Sequence, residues 1–270
     1  MSRRSSRRLL AFAALTCAWL YAADVQAGVV PAGDATYVHV ATAGETYRGA
    51  LELRNQTNTR AVVKLRQTDY SFRADGSTNF GPPGALPRSN AGWLHLDRDQ
   101  IVVAPQDTVR VEYEVRVPDD ARLAGTYWSV VMVEEAPVAE VSGRATKGPR
   151  LRQNIRYAIQ VITELGDSGR SEVAFHDARL VNDAGRRLLD VDVENTGDRW
   201  LRTSAWIELH DTQGRLFGRF PGARGRTFPG SSTRGRFDLT AAPPGKYLAL
   251  LVVDGGRNDL FGTQIELDLR

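Results

Sequence analysis

Polar and apolar residues alternate along most of this chain, with the period of a β-strand rather than of a helix. The clearest example is residues 108–117, where valines and Tyr113 share one face while arginines and glutamates share the other. A period of two residues indicates a strand with one face buried. Similar stretches, separated by turns rich in glycine, proline and aspartate, continue to the end of the chain. The pattern therefore predicts an all-β protein.

Two parts of the chain repeat the same order of elements. An alternating strand ends in Asn55 and runs into a polar turn, and a second one does so at Asn195. Later in each part, a Gly-x-Tyr turn leads into a strongly apolar strand, once at Tyr127 and once at Tyr247. Repeated order indicates two copies of one module. Short strands spaced by turns predict two tandem immunoglobulin-like β-sandwich domains, of the kind that lacks cysteine.

The predicted strands can be placed by residue number. Those of the first copy cover residues 37–40, 47–55, 60–72, 93–96, 101–103, 108–117, 125–134 and 151–165. Those of the second copy cover residues 172–181, 187–194, 200–210, 216–220, 233–239, 246–253 and 261–269. Residues 136–150 are predicted to form a loop and residues 166–169 a linker. The domains are therefore predicted at 28–165 and 166–270.

The first residues, 1–27, are expected to be a cleaved signal peptide. Four arginines precede an apolar stretch over residues 9–23, and small residues up to Ala27 suit signal-peptide cleavage. We therefore expect an exported, periplasmic protein. The whole chain has a formal charge of +3, but the predicted signal carries four arginines and one aspartate, so the mature chain is near neutral. This balance does not favour nucleic acid as a partner, and no later segment has the length and apolarity of a membrane span.

Little in the sequence suggests an enzyme. The one cysteine, Cys17, lies in the predicted signal, which leaves the mature chain without a thiol nucleophile or thiolate ligand. Residues 166–169 (Gly-Asp-Ser-Gly) are similar to the nucleophile turn of trypsin-like proteases, but Arg170 stands where that motif continues with glycine. The four histidines do not pair at metal-binding spacing. We expect a non-enzymatic protein without a cofactor.

The last strand of the first domain is the best candidate for a binding site. Ile155, Tyr157, Ile159 and Val161 lie on one of its faces, and Arg156 lies on the other. Such a strand is either ordinary core or an edge strand that offers every second side chain to a guest by β-strand addition.

A second candidate is the concentration of arginines in the second domain. Gly-Arg repeats over residues 221–236 predict a mobile basic loop. Such a loop would bind an anionic glycan or an acidic partner, or it would only offset acidic charge elsewhere.

Across both domains the chain resembles the periplasmic pilus-assembly chaperones, the PapD-like family. The similar segments are residues 51–55, 101–105, 109–117, 127–134 and the Ile-Arg-Tyr run at 155–157. The resemblance implies that the last strand of domain one is lent to an incomplete pilin sandwich, and that two basic residues in the interdomain cleft hold the pilin's terminal carboxylate. Arg156 would be one of them. The second should lie on the first strand, where this chain has His39, while the nearest arginine is Arg48 on the next strand.

Two functional hypotheses follow. The first is an exported binding protein that holds a pilin-like subunit through Ile155, Arg156, Tyr157, Ile159 and Val161, with an outer-membrane usher as a further partner. The alternative is a structural or adhesive envelope protein that binds cell-wall glycan or a surface protein. Domain one also resembles the surface-protein domains of the WxL-interacting type, which suits this alternative.

Overall fold

The alternating sequence forms strands throughout the part of the chain that the structure describes. The structure is a computed structural model that describes residues 28–136 and 155–270. The predicted signal peptide, the predicted loop beyond Ala136 and residues 151–154 of the last predicted strand of domain one lie outside the described residues. The described residues form seventeen strands and no helix, and they therefore include no helix that could cross a membrane.

Ten strands form the first sandwich. They are β1 (Val29–Pro31), β2 (Thr36–Ala41), β3 (Thr46–Asn55), β4 (Ala61–Phe72), β5 (Thr78–Gly81), β6 (Leu94–Leu96), β7 (Gln100–Val103), β8 (Thr108–Arg116), β9 (Gly125–Glu135) and β10 (Arg156–Leu165). One sheet has the order β1-β3-β8-β6, and the other has the order β2-β10-β9-β4-β5, with β7 beside β4. This is the immunoglobulin arrangement, in which strands A, B, E and D face strands G, F and C.

The core of the first sandwich lies between these two sheets. Leu51 and Val111 from one sheet belong to the same buried cluster as Val131 and Ile159 from the other. On β8 the valines and Tyr113 point inward, and the arginines and glutamates of the alternating pattern point outward. The period-two pattern therefore sets which face of this strand is buried, as the sequence predicts.

Seven strands form the second sandwich. They are β11 (Val173–Asp183), β12 (Arg186–Asn195), β13 (Leu201–His210), β14 (Leu216–Thr227), β15 (Ser232–Asp238), β16 (Gly245–Gly256) and β17 (Asp259–Leu269). Their sheets have the orders β11-β12-β15 and β14-β13-β16-β17. Leu189 and Phe237 from the first sheet share a core with Ile207 and Leu251 from the second. The prediction of an all-β chain with two immunoglobulin-like sandwiches is confirmed.

The prediction of a mobile basic loop over residues 221–236 is wrong. Most of these residues belong to β14 and β15. The glycines mark close packing, because a Cβ atom on Gly222 would lie 2.6 Å from the ring of Phe237. Arg234 and Arg236 form ion pairs at 2.7 Å with Asp192 and Asp190 on the neighbouring strand β12.

The two sandwiches meet through an aromatic cluster. Phe228 of domain two stacks on Trp128 of domain one, with ring centroids 4.8 Å apart, and it also stacks on Trp200, with ring centroids 6.0 Å apart. Gly125, at the start of β9, has a positive φ of 76°, and a Cβ atom there would lie 2.2 Å from the backbone oxygen of Asp198. Glycine is therefore required where the backbones of the two domains touch.

The linker between the domains holds this junction in place. Ser168 accepts a hydrogen bond on Oγ from the backbone N–H of Gly125 at 3.0 Å, and its own hydroxyl donates to the carbonyl of Leu165. Ser168 therefore has a structural partner on each side, as suits a linker.

Candidate functional site

Strand β10 is paired on both sides over only six of its ten residues. It pairs with β9 from Arg156 to Leu165, but with β2 only from Gln160 onward. Among the described residues no strand pairs with residues 156–159 on the side away from β9. This four-residue length of unpaired backbone is referred to below as the open edge. Unpaired strand edges are sites at which another strand can add.

The backbone groups at the open edge can be assigned from the register. The N–H of Gln160 donates to the carbonyl of Ala35 at 2.9 Å, so Gln160 faces the β2 side. Backbone groups of alternate residues in a strand point the same way. The N–H and C=O groups of Arg156 and Ala158 therefore face the open side, and they have the directions needed to bond an added strand.

The side chains of β10 fall into two groups. Ile159 and Val161 are each 1% exposed and belong to the core of domain one. Their predicted role as contacts that fill a guest's pockets is not supported, because these side chains point between the two sheets of their own domain. Ile155 is 37% exposed, and Tyr157 is half-buried against the edge of the core. Only these two of the four apolar residues lie where a guest can touch them.

Arg156 is placed far from the domain junction. Its guanidinium lies 3.1 Å from a carboxylate oxygen of Glu134 on β9. It stands at the N-terminal end of β10, whereas the opposite end, at Leu165, pairs with Gly125 at the junction. Nine residues of extended chain separate the two ends, a distance of about 30 Å. Arg156 therefore cannot hold a carboxylate in the interdomain cleft, and that expectation is wrong.

His39 is also turned away from the cleft. Its ring stacks on Tyr47 at a centroid distance of 3.9 Å, and its Nε2 lies 3.3 Å from a carboxylate oxygen of Glu45. The neighbouring residues Val38 and Val40 have the opposite orientation and are exposed. Strand β2 therefore contributes apolar rather than basic side chains to the cleft.

The cleft between the domains is a groove of about 450 Å³ beside β2. Val38 and Val40 line it from domain one, and Trp200, Arg202 and Arg257 are among the residues that line it from domain two. The positively charged residues that line this groove are arginines of domain two.

Glu164 fixes one wall of the groove. This buried carboxylate accepts hydrogen bonds from Trp200 Nε1 and from the Arg257 guanidinium, the latter at 2.6 Å. Arg257 is therefore occupied by a partner within the chain. Arg202 is different: its guanidinium lies 4.9 Å above the ring of Trp200 and has no carboxylate within 4.0 Å among the described residues.

Arg226 connects this region to the open edge. Its guanidinium donates to Thr36 Oγ1 at 2.8 Å, and Thr36 pairs with Gln160, the residue that follows the open edge. Arg202 lies directly opposite Arg226 on the neighbouring strand. The sequence could not reveal this contact, because Thr36 and Arg226 are 190 residues apart and no local pattern joins them.

Several of the groups with shifted pKa values have structural roles. Hydrogen bonds from Arg236 and Arg234 hold the pKa values of Asp190 and Asp192 below their usual range. Burial raises the pKa of Tyr47 to about 12. Within residues 28–136 and 155–270, no group of three or more His, Cys, Asp or Glu side chains could hold a metal ion.

Comparisons with known proteins give matches in fold only. No protein-family model matches the sequence, and no curated protein does. A solved structure from a study of the chaperone–tip adhesin complex in CFA/I fimbriae biogenesis is similar over 89% of this chain and 98% of its own, with 9% identity and a TM-score of 0.48.

Two further solved structures are similar over comparable lengths. The CupB2 chaperone of Pseudomonas aeruginosa covers 89% of this chain and 100% of its own, with 12% identity and a TM-score of 0.42. The E. coli chaperone DraB covers 90% and 98%, with 15% identity and a TM-score of 0.42. At these identities and TM-scores the similarity carries no argument about what this chain binds.

Proposed function

We propose that the mature chain is an exported, non-enzymatic binding protein that holds a surface-protein subunit by β-strand addition at the open edge of β10. The observation that carries this proposal is the unpaired backbone of residues 156–159 of β10. The position beside this backbone is in line with β2, which pairs with the rest of β10. The periplasm is the compartment we propose for this activity, and the pilus-assembly chaperones that the sequence resembles are the proposed functional class.

A guest strand would occupy the position that β2 leaves vacant. The backbone groups of Arg156 and Ala158 supply the hydrogen bonds, which give affinity with little dependence on sequence. Ile155 and Tyr157 supply the apolar contacts. Ile159 and Val161 contribute indirectly, because their burial in the core holds the strand in its extended conformation.

The direction of β2 indicates how the guest would lie. Since β2 runs parallel to β10, a guest strand in the same direction would end beside Thr36. Arg226 contacts Thr36, and Arg202 lies opposite Arg226. We therefore propose that these two arginines, rather than Arg156 and His39, are the basic residues beside the end of the guest strand.

The test is co-expression of the full chain with candidate exported pilin-like subunits, followed by co-purification. Ala158→Pro removes one N–H from the open side without breaking a hydrogen bond inside the chain. Ala158→Val is the matched control, because it retains the N–H. We expect a complex with wild type and with Ala158→Val, and a loss of affinity of about tenfold or more with Ala158→Pro.

Two results would contradict the proposal. The first is a subunit complex that forms equally well with a folded Ala158→Pro variant, as judged by its circular dichroism and its urea midpoint. The second is retention on purified cell wall in the absence of any subunit complex, which supports the envelope-binding alternative instead.

A further inference from the structure

The outer face of β16 in domain two is apolar where a solvent-facing strand is usually polar. Ala249, Leu251 and Val253 point into the core of domain two, so the alternating residues Leu248, Leu250 and Val252 point outward. Leu248 is 39% exposed, and the other two are half-buried. Antiparallel sheets with one solvated face normally carry polar residues there.

The repeat in the sequence shows what is unusual about these positions. Because Tyr127 and Tyr247 each stand third in their strands, Trp128, Val130 and Met132 of β9 correspond to the three outward residues of β16. In domain one all three are buried, and Trp128 is covered by Phe228 of domain two. The corresponding residues of domain two remain partly open to solvent.

Trp206 widens this apolar surface. Trp206 lies on β13, opposite Val252 of β16. The guanidinium of Arg219 lies 3.8 Å from the centre of the Trp206 ring. Its indole N–H donates to Glu208 at 3.1 Å. We call the set Trp206, Leu248, Leu250 and Val252 the apolar stripe.

Two arginines lie on the same face, between the apolar stripe and domain one. Arg202 and Arg226 are directly opposite each other on β13 and β14, and like charges in this relation repel. Neither has a carboxylate within 4.0 Å among the described residues. An acidic residue, Asp254, lies opposite Ser204, two residues from Arg202 on β13. Its carboxylate accepts a hydrogen bond from the backbone N–H of Gly256. An external anionic group would relieve the repulsion between the two arginines.

The arginine pair makes the stripe continuous with the open edge. Arg226 contacts Thr36, and Thr36 pairs with Gln160, which directly follows residues 156–159. A protein seated at the open edge would therefore have its next available contact on this face of domain two.

We propose that the apolar stripe and the Arg202–Arg226 pair form a second contact surface for the subunit held at the open edge. This surface would select subunits whose apolar patch carries acidic residues at the end that faces the arginine pair, because Glu208 and Glu266 lie opposite Leu250 and Leu248 along the stripe. This inference rests on the proposed function. The surface covers three strands, β14, β13 and β16, and about nine residues along them, which gives an area of roughly 400 Å². A stable dimer needs about 800 Å² per partner, so a second copy of the chain is a poorer occupant than a subunit already held nearby.

The test uses synthetic peptides and the full chain. One labelled peptide contains only alternating valine and threonine. A second adds a leucine–aspartate extension at the C-terminus, a third adds it at the N-terminus, and matched peptides replace each aspartate by lysine. Placing the extension at either end covers both directions in which the guest strand could lie.

We expect the acidic extension at one end to tighten binding about tenfold, and the lysine extension to give no such gain. Arg202→Glu with Arg226→Glu should remove the gain, whereas Arg54→Glu, an exposed control on β3, should leave it unchanged. Val252→Asp should reduce the gain as well, because it places a charge within the stripe.

The possible failures are distinguishable. If the unextended peptide does not bind, or binds folded Ala158→Pro as well as wild type, the proposed function is wrong and the inference is lost with it. If the unextended peptide binds at the open edge but the acidic extension gives no gain, only the second contact surface is disproved. The second contact surface is also disproved, and the proposed function kept, if the acidic extension still tightens binding to the variant with both Arg202→Glu and Arg226→Glu.

Discussion

Asn55 and Asn195 make the same set of hydrogen bonds in the two domains. The Nδ2 group of Asn55 donates to the carbonyls of Thr59 at 2.7 Å and Val103 at 3.2 Å. The Nδ2 group of Asn195 donates to the carbonyls of Arg199 at 2.7 Å and Thr227 at 3.0 Å.

The acceptor side of the two asparagines matches as well. Each Oδ1 accepts the N–H of the residue two positions later, which is Thr57 in one domain and Gly197 in the other. Both asparagines are fully buried. One side chain thus closes the turn that follows β3 in the first sandwich and β12 in the second, and joins that turn to a distant segment.

Asn55→Ala and Asn195→Ala should each reduce the free energy of unfolding by about 2–3 kcal/mol. Each change leaves one buried carbonyl, that of Val103 or of Thr227, without its side-chain donor, which costs more than the net value of a hydrogen bond. Urea denaturation measures the loss. Gln56→Ala is the matched control, since its side chain is exposed, and it should stay within about 0.5 kcal/mol of wild type. Equal stability of Asn55→Ala and Gln56→Ala would contradict this role.

The repeat is the part of the fold that could be predicted best. An asparagine at the end of an alternating strand and a Gly-x-Tyr turn are local signals, and both copies occupy the expected places in their sandwiches. The pattern does not predict strands β1 and β5, because each is short and ends in a residue typical of turns, Pro31 or Gly81. Part of the basic strand β14 is mistaken for a loop because glycine is typical of loops, although Gly222 here makes room for the ring of Phe237.

Phe228→Ala should destabilise the chain by about 3 kcal/mol or more and loosen the domain junction. Phe228 is buried in a cluster with Trp128 of domain one and Trp200 of domain two, so its removal leaves a cavity shared by both domains. Thermal unfolding should then separate into two transitions. Phe217→Ala, at a position 46% exposed, is the control and should cost less than about 1 kcal/mol. If Phe228→Ala unfolds in a single thermal transition at the wild-type temperature, Phe228 does not hold the two domains together.

The Asp190–Arg236 pair should make stability depend on pH in the acid range. The pKa of Asp190 is lowered in the folded state by the Arg236 hydrogen bond, relative to an ordinary value of 3.8. The unfolded chain therefore binds more protons in acid, and stability falls with falling pH. The contribution is complete above about pH 5 and is lost as the pH drops through the lowered pKa of the folded state.

Asp190→Asn measures this contribution directly. The stability gap between wild type and Asp190→Asn should be largest near neutral pH and should narrow between about pH 5 and pH 2. Arg236→Gln should show the same narrowing, because it removes the other partner. A gap that stays constant over this range would show that the pair does not control the titration.

Charges placed along β10 should separate its accessible residues from its buried ones. Ile155→Asp should leave the fold intact, because Ile155 is 37% exposed, and should weaken guest binding. Ile159→Asp should cost about 3 kcal/mol or more, because it buries an unpaired charge in the core. Val102→Asp, at an exposed position of β7, is the control for binding. A folded Ile155→Asp variant that binds guests normally would remove Ile155 from the site.

The candidate site was only partly predictable for a physical reason. Alternation shows that Ile155, Tyr157, Ile159 and Val161 share one face of a strand, but not where the opposing sheet ends along that face. The structure shows that the core covers the last two residues and leaves Ile155 exposed. Whether β10 has one neighbour or two depends on where β2 begins, and that is a long-range pairing which no local pattern contains.

Amide hydrogen exchange along β10 tests the central claim most directly. In the free chain, the amides of Arg156 and Ala158 should exchange at least about tenfold faster than the amide of Gln160, which is bonded to Ala35. Addition of a saturating valine–threonine strand peptide should slow exchange at Ala158 and leave Gln160 unchanged. Protection of Ala158 in the free chain, or fast exchange of Ala158 with the peptide bound, would contradict strand addition at the open edge.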